Sequence, residues 1–531
     1  MPKTLRLLRE EITYSKAQRE EVNILHRLQY YDRQREFFTS LSDNRNWIKA
    51  VIAHHLALPS TDLCQVADVE DWLHGSFNVC VPVSINDWGS RTQSGTRVLL
   101  RLPLPHRLGE EFRPGNSDEK IRCEAGTYAW LQENCPDIPI PRLYGFATSD
   151  GQTFTHIDEL PYLSRWFQYF RRLLLSCLGY PLPSSYVSHH PRNLKHKCDA
   201  LATGYLLVEL VESTTGKMLS STWLERYHNP RYRHTLFRDL SRILLSLMRV
   251  PLPLIGSFVI DKDGYIQLIN RPLSLEIQDL ENDYIPTDMA RCHTYSTVES
   301  YIVDLLRLHS SRLRHQENAI NNMSDYIYQA SALTAMQATF PSFFTRELSR
   351  GPFTFTLTDL HQSNIFVDED WHITSLVDLE WACSRPVEMI RTPTWLTNKV
   401  VDEIADEAVD YDTVRSEFIG IMANEERLLD LASKEKGQST ASLSAIMDRS
   451  WRSGTFWFSL ALASPTGLFS VFYKQIQPRF IEYCPDHDAF QETMPWYWSK
   501  DFVRVGAAKQ RDRIDYDTRL QAAFGVLDEA D

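Results

Sequence analysis

One segment of this chain has a pattern that leaves few structural alternatives. Residues 365–367 and 373–377 are rich in β-branched and other apolar side chains, and the Asp-Glu-Asp between them is typical of a turn. We therefore predict a β-hairpin. Folding about this turn would place Asn364 opposite Asp378, with Asp359 five residues before Asn364. A carboxylate, an amide oxygen and a second carboxylate are thus expected at one end of one hairpin.

These three side chains meet the needs of phosphoryl transfer. The reaction requires a residue that orients the attacking hydroxyl and hard oxygen ligands for the magnesium ions that neutralise the phosphates. We assign Asp359 to the acceptor hydroxyl, and Asn364 with Asp378 to Mg²⁺. Because an Asp followed by an Asn is often only a turn pair, the assignment depends on the hairpin and on Asp378.

Strand patterns come early in the chain and helical patterns come late. Residues 79–83, 97–102 and 204–211 have the composition of strands, and residues 119–134 have the apolar spacing of a helix. Helical patterns dominate after residue 223. This order predicts an α+β fold class with two lobes, a small β-rich N-terminal lobe and a large α-rich C-terminal lobe.

Composition limits the classes of partner. A net charge of −13 argues against a nucleic-acid-binding protein, because affinity for phosphate backbones comes mainly from Lys and Arg. The most apolar stretch, residues 166–178, is interrupted by Gln168, Arg171 and Arg172 and is too short to cross a bilayer, so we expect no membrane span. The first residues lack the apolar core of a signal peptide, which favours a cytoplasmic location.

The nine cysteines give no sign of a disulfide framework or a zinc site. Their number is odd, they are scattered along the chain, and no C-x-x-C pair occurs. We therefore expect reduced thiols. Neither the oligomeric state nor the identity of the acceptor can be read from the sequence, and ATP and GTP remain alternatives as donors.

The loop L-T-D-L-H-Q-S-N that ends at Asn364 resembles the H-G-D-x-H-x-x-N loop of the aminoglycoside phosphotransferase and choline kinase-like superfamily. The sequence V-D-L-E-W around Asp378 resembles the I-D-W-E segment of that family. The order of looser matches resembles the large fungal branch. These looser matches are residues 72–78, 124–131, 138–141, 255–257 and 270–273. The resemblance covers roughly residues 46–397 and implies a protein-kinase-like two-lobe fold.

The resemblance also implies roles for individual residues. Asp359 would be the catalytic aspartate, Asn364 and Asp378 the Mg²⁺ ligands, and ATP the phosphoryl donor. His361 is expected to hold the loop by hydrogen bonding and is left out of the acid/base set. The cofactor-binding residues that the resemblance implies are Gly75, Ser76, Phe77, Asn78, Arg101, Glu124, Glu209 and Val211.

The sequence departs from the family pattern at two places. Arg101 occupies the position of the strand lysine, and its planar fork is not equivalent to a lysine point charge. Leu357-Thr358 replaces the usual His-Gly. Arg101 and Glu124 could also be an ordinary surface ion pair, and the strand before Glu209 an ordinary buried strand. A protein kinase is disfavoured because no A-P-E segment follows the hairpin.

We predict three regions along the chain. Residues 1–45 should form a helical extension, with helical spacing through about Thr39. Residues 46–212 should form the N-terminal nucleotide-binding lobe, with a proline-rich insertion at about 147–203, and residues 213–531 the helical C-terminal lobe with the catalytic loop and metal-binding hairpin.

The predicted function is an ATP-dependent, Mg²⁺-requiring phosphotransferase that acts on the hydroxyl of a small-molecule acceptor. The alternative is a nucleotide-binding or scaffolding pseudokinase without turnover. The two departures from the family pattern motivate the alternative, and the presence of all three polar side chains of the hairpin argues against it.

Overall fold

The computed structural model of the protein describes residues 3–86, 88, 97–190, 203–432, 442–481 and 487–526. The strands are β1 Thr4–Arg6, β2 Glu11–Thr13, β3 Cys64–Val66, β4 Leu73–His74, β5 Asn78–Ile85, β6 Arg97–Pro103, β7 Leu143–Ala147, β8 Thr153–His156, β9 Tyr186–Ser188, β10 Tyr205–Glu209, β11 Lys217–Met218, β12 Ser257–Ile260, β13 Ile266–Asn270, β14 Phe353–Leu357, β15 Ile365–Val367, β16 Ile373–Leu376 and β17 Ala382–Pro386.

The α-helices follow the same chain order and are concentrated in the second half. They are α1 Tyr14–Ala17, α2 Ile24–Arg27, α3 Tyr30–Asp43, α4 Arg45–His55, α5 Asn116–Asn134, α6 Tyr162–Cys177, α7 Leu219–Arg226, α8 Pro230–Met248, α9 Leu275–Asn282, α10 Val298–His315, α11 Met323–Thr339, α12 Val401–Asp406, α13 Ala408–Ala432, α14 Leu443–Ser453, α15 Thr455–Leu462, α16 Leu468–Val471, α17 Pro478–Ile481, α18 His487–Thr493 and α19 Phe502–Phe524.

An antiparallel sheet of eight strands forms the N-terminal lobe. Its order is β3-β5-β6-β10-β7-β8-β9, with β4 paired to β5. The three predicted strands are confirmed as β5, β6 and β10, which are neighbours in this sheet. Arg101 therefore lies on an interior strand, in register with Cys80 on one side and Leu206 on the other.

Helix α5 joins this sheet to the rest of the molecule and is longer at its start than the predicted helix. It approaches β12 very closely at Gly126, where a Cβ atom would lie 2.4 Å from the carbonyl oxygen of Phe258. Any side chain at this position would push the two elements apart, so glycine is required for their packing. This close packing sets the position of Lys120 and Glu124 of α5 relative to the N-terminal sheet.

The start of the chain differs from the predicted helix. Strands β1 and β2 pair as a short hairpin, with Thr4 opposite Thr13, and helices begin only at Tyr14. The helical prediction was wrong for residues 4–13, where Ile12 packs in a cluster with Tyr516 and other apolar residues of α19, and helices α1 to α3 lie in the rest of the predicted region. Long-range packing decides the structure of such short segments.

The region predicted as an insertion is partly continuous with the sheet. Strands β8 and β9 lie within it, and they pair with each other and, through β8, with β7. Helix α6 lies between them and accounts for the one helix expected there. Residues 191–202 of the predicted insertion lie outside the described residues. The proposed domain boundaries stay a prediction.

The C-terminal lobe consists of helices around three small pieces of sheet, one of which is the β12–β13 hairpin. Strand β14 pairs with β17, and the β15–β16 hairpin carries β11 along its outer edge. One large apolar core runs through this lobe and includes α5, while a second core lies between the N-terminal sheet and α3 and α4. The prediction of an α+β protein with a β-rich N-terminal lobe and an α-rich C-terminal lobe is confirmed. Within the described residues, every helix is too short or too polar to cross a bilayer.

Candidate active site

A cleft of about 790 Å³ is lined by residues of both lobes. Every site residue predicted from the sequence lines it. They are Gly75, Ser76, Phe77, Asn78, Arg101, Glu124, Glu209, Val211, Asp359, Asn364 and Asp378. The volume lies within the range of roughly 300–1,000 Å³ that is usual for small-molecule sites.

Pairing of β14 with β17 positions the loop that carries Asp359. Because Leu357 is opposite Ala382, the chain leaves β14 beside the segment that follows the hairpin, and Thr358 N donates to Trp381 O at 3.2 Å. The ring nitrogen Nδ1 of His361 accepts from Ser363 N at 3.3 Å. This contact caps the turn that leads to Asn364, in agreement with the loop-holding role expected for His361.

The predicted hairpin is confirmed, with Ile365 opposite Leu376. Val377 N donates to Asn364 O at 2.9 Å, so Asn364 and Asp378 lie next to each other at the open end of the hairpin. Asp378 has a φ of 61°, in the left-handed region. Non-glycine residues in this region are uncommon and carry strain that is often found at functional sites.

Asn364 connects the hairpin to the loop. Its amide nitrogen donates to Asp359 O at 2.9 Å and lies 3.4 Å from Asp359 Oδ2. Since the nitrogen is held by Asp359, the amide oxygen Oδ1 is the atom that can ligate a cation. It accepts from Ser363 Oγ at 3.3 Å.

The donor set of Asn364 and Asp378 fits Mg²⁺ better than a transition metal. Among the described residues, no group of three or more His, Cys, Asp or Glu side chains is arranged to hold a metal ion without help. Magnesium is usually held by one or two protein oxygens, while waters and substrate phosphates complete its octahedron. An amide oxygen and a carboxylate beside an open cleft match that mode.

Arg101 lies at the floor of the cleft among three carboxylates. It donates to Asp378 and, at 2.7 Å, to Glu380 Oε2, and its Nε lies 3.1 Å from Glu124 Oε1. The expected approach of Arg101 to Glu124 is confirmed. The alternative of a surface ion pair is wrong, because both side chains are buried.

Lys120 and Glu380 also belong to this cluster and were not singled out in the sequence. The Lys120 Nζ is fully buried and lies 2.6 Å from Asn78 Oδ1, 2.5 Å from Glu380 Oε2 and 3.8 Å from Glu124 Oε2. Its position one helical turn before Glu124 was the available signal. Arg101, Lys120, Glu124, Asp378 and Glu380 are called the cleft cluster below.

The cleft cluster is incompletely hydrogen-bonded. Neither carboxylate oxygen of Glu124 has a hydrogen-bond partner in the structure, and the Arg101 Nε beside it also has none. Burial raises the pKa of Glu124, an effect that Arg101 and Lys120 only partly offset. Buried polar atoms without partners are rare and often mark a site that binds something else.

Asp359 has the electrostatics of a base that is poised near neutrality. Burial raises its pKa to about 7, and the negative charges of Glu380 and Asp378 act in the same direction. General bases work best with a pKa near the operating pH.

The turn at residues 75–78 is tighter than a phosphate-binding loop needs to be. Gly75 N donates to Asn78 O at 3.0 Å. Phe77 is buried with its ring 5.2 Å from that of Trp381, and Asn78 is held by its contacts to the cleft cluster. Gly75 and Ser76 are the exposed members, and the phosphate-binding role of the turn stays a prediction.

The other end of the cleft is mainly apolar and lies where β10 leaves the sheet. Glu209 N donates to Arg142 O at 2.8 Å, which fixes the strand as it approaches Val211. The apolar residues that line this end are Leu99, Tyr128, Pro141, Val208, Leu210, Val211, Met218 and Phe366. A flat aromatic base would find apolar contacts here, on side chains of both lobes.

Two solved structures are similar to this chain. One is a thermostable mutant of the aminoglycoside phosphotransferase APH(4)-Ia in complex with AMP-PNP and hygromycin B, with 12% identity, coverage of 83% of this chain and 95% of that chain, and a TM-score of 0.32. The other is an ethanolamine kinase of Plasmodium vivax, with 13% identity, coverage of 88% of each chain and a TM-score of 0.34. No family model and no curated protein matches the chain.

Proposed function

We propose that this protein is an ATP-dependent phosphotransferase that transfers the γ-phosphoryl group of ATP to a hydroxyl of a small molecule. The observation that carries the proposal is the convergence of Asp359, Asn364 and Asp378 in a cleft that also holds the buried cation Arg101 and has an apolar end. Phosphoryl transfer depends on positioning and electrostatic stabilisation, and these are the features present.

Asp359 is proposed to orient the acceptor hydroxyl. The hydroxyl oxygen forms a bond to the γ-phosphorus, the bond from that phosphorus to the bridging oxygen of ADP breaks, and the hydroxyl proton passes to the Asp359 carboxylate. A carboxyl whose pKa is about 7 is ionised in a large fraction of molecules at neutral pH and can accept that proton.

Asn364 and Asp378 are the residues that would hold Mg²⁺. When bound, the ion would neutralise charge on the phosphates. Asp378 is bonded to Arg101 in the structure, so metal binding requires this guanidinium to move off the carboxylate or to share it. A phosphate group would offer Arg101 a bidentate partner in exchange.

Calorimetric titration of the full-length protein with ATP, in the presence and absence of Mg²⁺, tests the donor half of the proposal. We expect binding that depends on Mg²⁺. Asp378→Ala should weaken it by about tenfold or more, the size of effect seen when metal sites lose supporting groups. Glu369→Ala removes an exposed carboxylate from the turn of the same hairpin and is the matched control, expected to bind like the wild type.

The acceptor half requires a turnover assay. Release of ADP should be followed with a panel of small hydroxyl compounds that includes aminoglycosides and amino alcohols. Turnover with at least one acceptor is the expected result. Absence of ATP binding with and without Mg²⁺ would contradict the whole proposal.

One contact favours a second candidate, nucleotide binding without turnover. The Arg101 guanidinium donates a hydrogen bond to the carboxylate of Asp378, the residue proposed as metal ligand. A pseudokinase of this kind would bind ATP equally well without Mg²⁺ and would release no ADP with any acceptor. The same two experiments therefore separate the candidates.

A further inference from the structure

Helix α6 exposes an unusually apolar surface. Eleven large apolar side chains between Tyr162 and Leu182 are at least 44% exposed, and none of the helix residues is buried. Leu163 is 81% exposed, and the rings of Trp166 and Phe170 stack on each other with centroids 5.9 Å apart. Patches of this kind on a protein surface mark sites of interaction.

The helix is mounted with its polar side toward the protein. Its less exposed side chains are Arg165, Gln168, Arg171, Arg172 and Leu175, of which four are polar. Arg165 donates to the carbonyl of Asp158 at 3.2 Å, and Arg172 donates to the carbonyl of Pro183. A surface helix normally turns its apolar stripe toward the core, so the orientation of α6 is reversed.

The charged residues of α6 itself are all positive, although Asp158 before the helix accepts from Tyr169. From residue 160 through residue 190 the chain contains Arg165, Arg171 and Arg172 and no Asp or Glu, although the whole protein has a net charge of −13. A helix with Trp, Phe and Leu on one face and arginines on the other has the composition of helices that lie in the interface of a bilayer.

We propose that α6 binds the surface of an anionic lipid bilayer, with its apolar face inserted at the level of the headgroups. Trp166, Tyr162 and Tyr169 are the amphipathic ring types that concentrate at this level. Arg165 and Arg172 bond to the protein, so Arg171 is the arginine of α6 that would meet anionic headgroups. The proposal is independent of the phosphotransferase function, and the helix lies on the membrane without spanning it.

A second copy of the chain is the less favoured occupant. A two-fold dimer formed over α6 would bring the helix against its own copy, because such interfaces use the same patch on both subunits. Such a dimer would bury the apolar faces but would leave Arg171 of each helix without a carboxylate on the partner helix. An anionic bilayer supplies the missing opposite charge.

Vesicle flotation of the full-length protein tests the proposal. The probes are vesicles of phosphatidylcholine alone and vesicles in which about one third of the lipid is phosphatidylserine. We expect binding to the anionic vesicles that weakens as salt is raised, and much weaker binding to the neutral ones. The double substitution Trp166→Glu/Phe170→Glu should weaken binding at least about tenfold, because it places charges in the inserted face.

Two further variants make the test specific. Arg171→Gln should weaken binding to the anionic vesicles about fivefold, the effect of one cation near the surface. Leu224→Glu/Val409→Glu introduces the same two charges at positions that are 76% and 81% exposed on α7 and α13, and should bind like the wild type. Circular dichroism and thermal melting establish that each variant is folded, and the single substitution Leu163→Glu replaces the double variant if that one is not.

Three outcomes would overturn the proposal. They are failure of the wild type to bind anionic vesicles, equal binding to neutral vesicles, and undiminished binding by the folded α6 variant. Sedimentation of the protein without lipid identifies the other occupant, since a dimer that the α6 substitution dissociates would assign the face to a second copy.

Discussion

Two buried clusters of charged residues occur in this protein, one on each side of α5, and they differ in how completely they are hydrogen-bonded. The first, called the closed cluster here, ties the start of α5 to the C-terminal lobe. Its centre is Arg271, which is fully buried and donates to Glu119 twice at 2.8 Å and to Glu281 at 2.6 and 3.0 Å. The second is the cleft cluster around Arg101.

Glu281 of the closed cluster and Glu124 of the cleft cluster have pKa values that shift in opposite directions. Glu380 of the cleft cluster, which accepts from Arg101 and Asn78, has a lowered pKa like Glu281. Burial tends to raise the pKa of Glu281, but hydrogen bonds from Arg271 and Thr287 outweigh it and the pKa is lowered. In the cleft cluster the pKa of Glu124 is raised, because burial outweighs Arg101 and Lys120. The residue types are the same, and the difference lies in the number of hydrogen bonds that each carboxylate accepts.

This comparison separates residues that maintain the fold from residues that are available for ligands. The polar atoms of a fully hydrogen-bonded network are not free to bind a substrate. Removing one partner from such a network leaves a buried charge uncompensated. A network with unused oxygens and donors, placed at a cleft, can exchange internal contacts for contacts to phosphate and metal. Stability should therefore depend on the closed cluster and activity on the cleft cluster.

The largest effect is expected at Asp359, next to the cleft cluster. Asp359→Asn keeps the size of the side chain and a hydrogen-bonding oxygen but removes the group that accepts the acceptor proton. The rate constant kcat should fall by roughly 10² to 10⁴, while affinity for Mg-ATP stays near that of the wild type. Steady-state kinetics with an identified acceptor and calorimetry measure the two quantities. A wild-type rate in this variant would refute the catalytic assignment.

Removal of the two central arginines should give unequal losses of stability. Arg271→Met removes the central cation of the closed cluster and leaves Glu119 with Arg291 and Glu281 with Arg113, so it should lower the free energy of unfolding by about 3 kcal/mol. Arg101→Met should lower it by at most about 2 kcal/mol, since Lys120 remains beside the buried Glu124 and Glu380 and the Asp378 side chain is 31% exposed. Urea denaturation followed by circular dichroism measures both values. Equal losses would mean that the cleft cluster is a second structural network.

A matched pair of glutamate substitutions tests the same distinction on one helix. Glu119→Gln loses charged hydrogen bonds from Arg271 and Arg291 and should cost about 1.5–3 kcal/mol. Glu124→Gln keeps the shape of the side chain and removes a buried charge that lies 3.1 Å from Arg101 Nε but accepts no hydrogen bond, so the stability of the ligand-free protein should fall by about 1 kcal/mol or less. Turnover should nevertheless decrease in Glu124→Gln. A stability loss at Glu124 as large as that at Glu119 would contradict the comparison.

The smallest effect expected is on the pH dependence of turnover. The pKa of Asp359 is raised to about 7 mainly by burial, so its carboxylate form is lost as the pH falls through that value. We expect kcat/KM to be level above about pH 7 and to decrease about tenfold per unit below it. The residual activity of Asp359→Asn should lack this limb. If kcat/KM of Asp359→Asn still decreased below pH 7, the decrease would be due to titration of another group.

Much of the fold followed from local patterns in the sequence. The strands β5, β6 and β10, helix α5 and the β15–β16 hairpin each have a clear apolar period or turn, and each was predicted. The β1–β2 hairpin and the entry of β8 and β9 into the sheet were not, because the hairpin is buried against the distant α19 and β9 reaches β8 only after helix α6. Local periodicity contains no information about such partners.

The residues that line the cleft were predicted from the sequence, but the contacts among them were not. The sequence indicated Asp359, Asn364 and Asp378, because the spacing of a loop and a hairpin brings them together. The bond from Arg101 to Asp378 spans 277 residues of sequence, and the role of Lys120 depends on its burial beneath Glu380. Both contacts depend on how the sheet, α5 and the hairpin pack together. The spacing of residues within one segment does not specify this packing.

The packing of the N-terminal hairpin on α19 has a consequence for synthesis of the chain. The hairpin emerges from the ribosome long before α19, and Arg9 in its turn lines the cleft. The surface that buries Ile12 and Ile24 is provided by Tyr516 and its neighbours, and Ile24 N donates to the Tyr516 hydroxyl at 2.9 Å across 492 residues. This part of the cleft wall therefore cannot be completed until α19 has been synthesised, which makes its assembly a late step of folding.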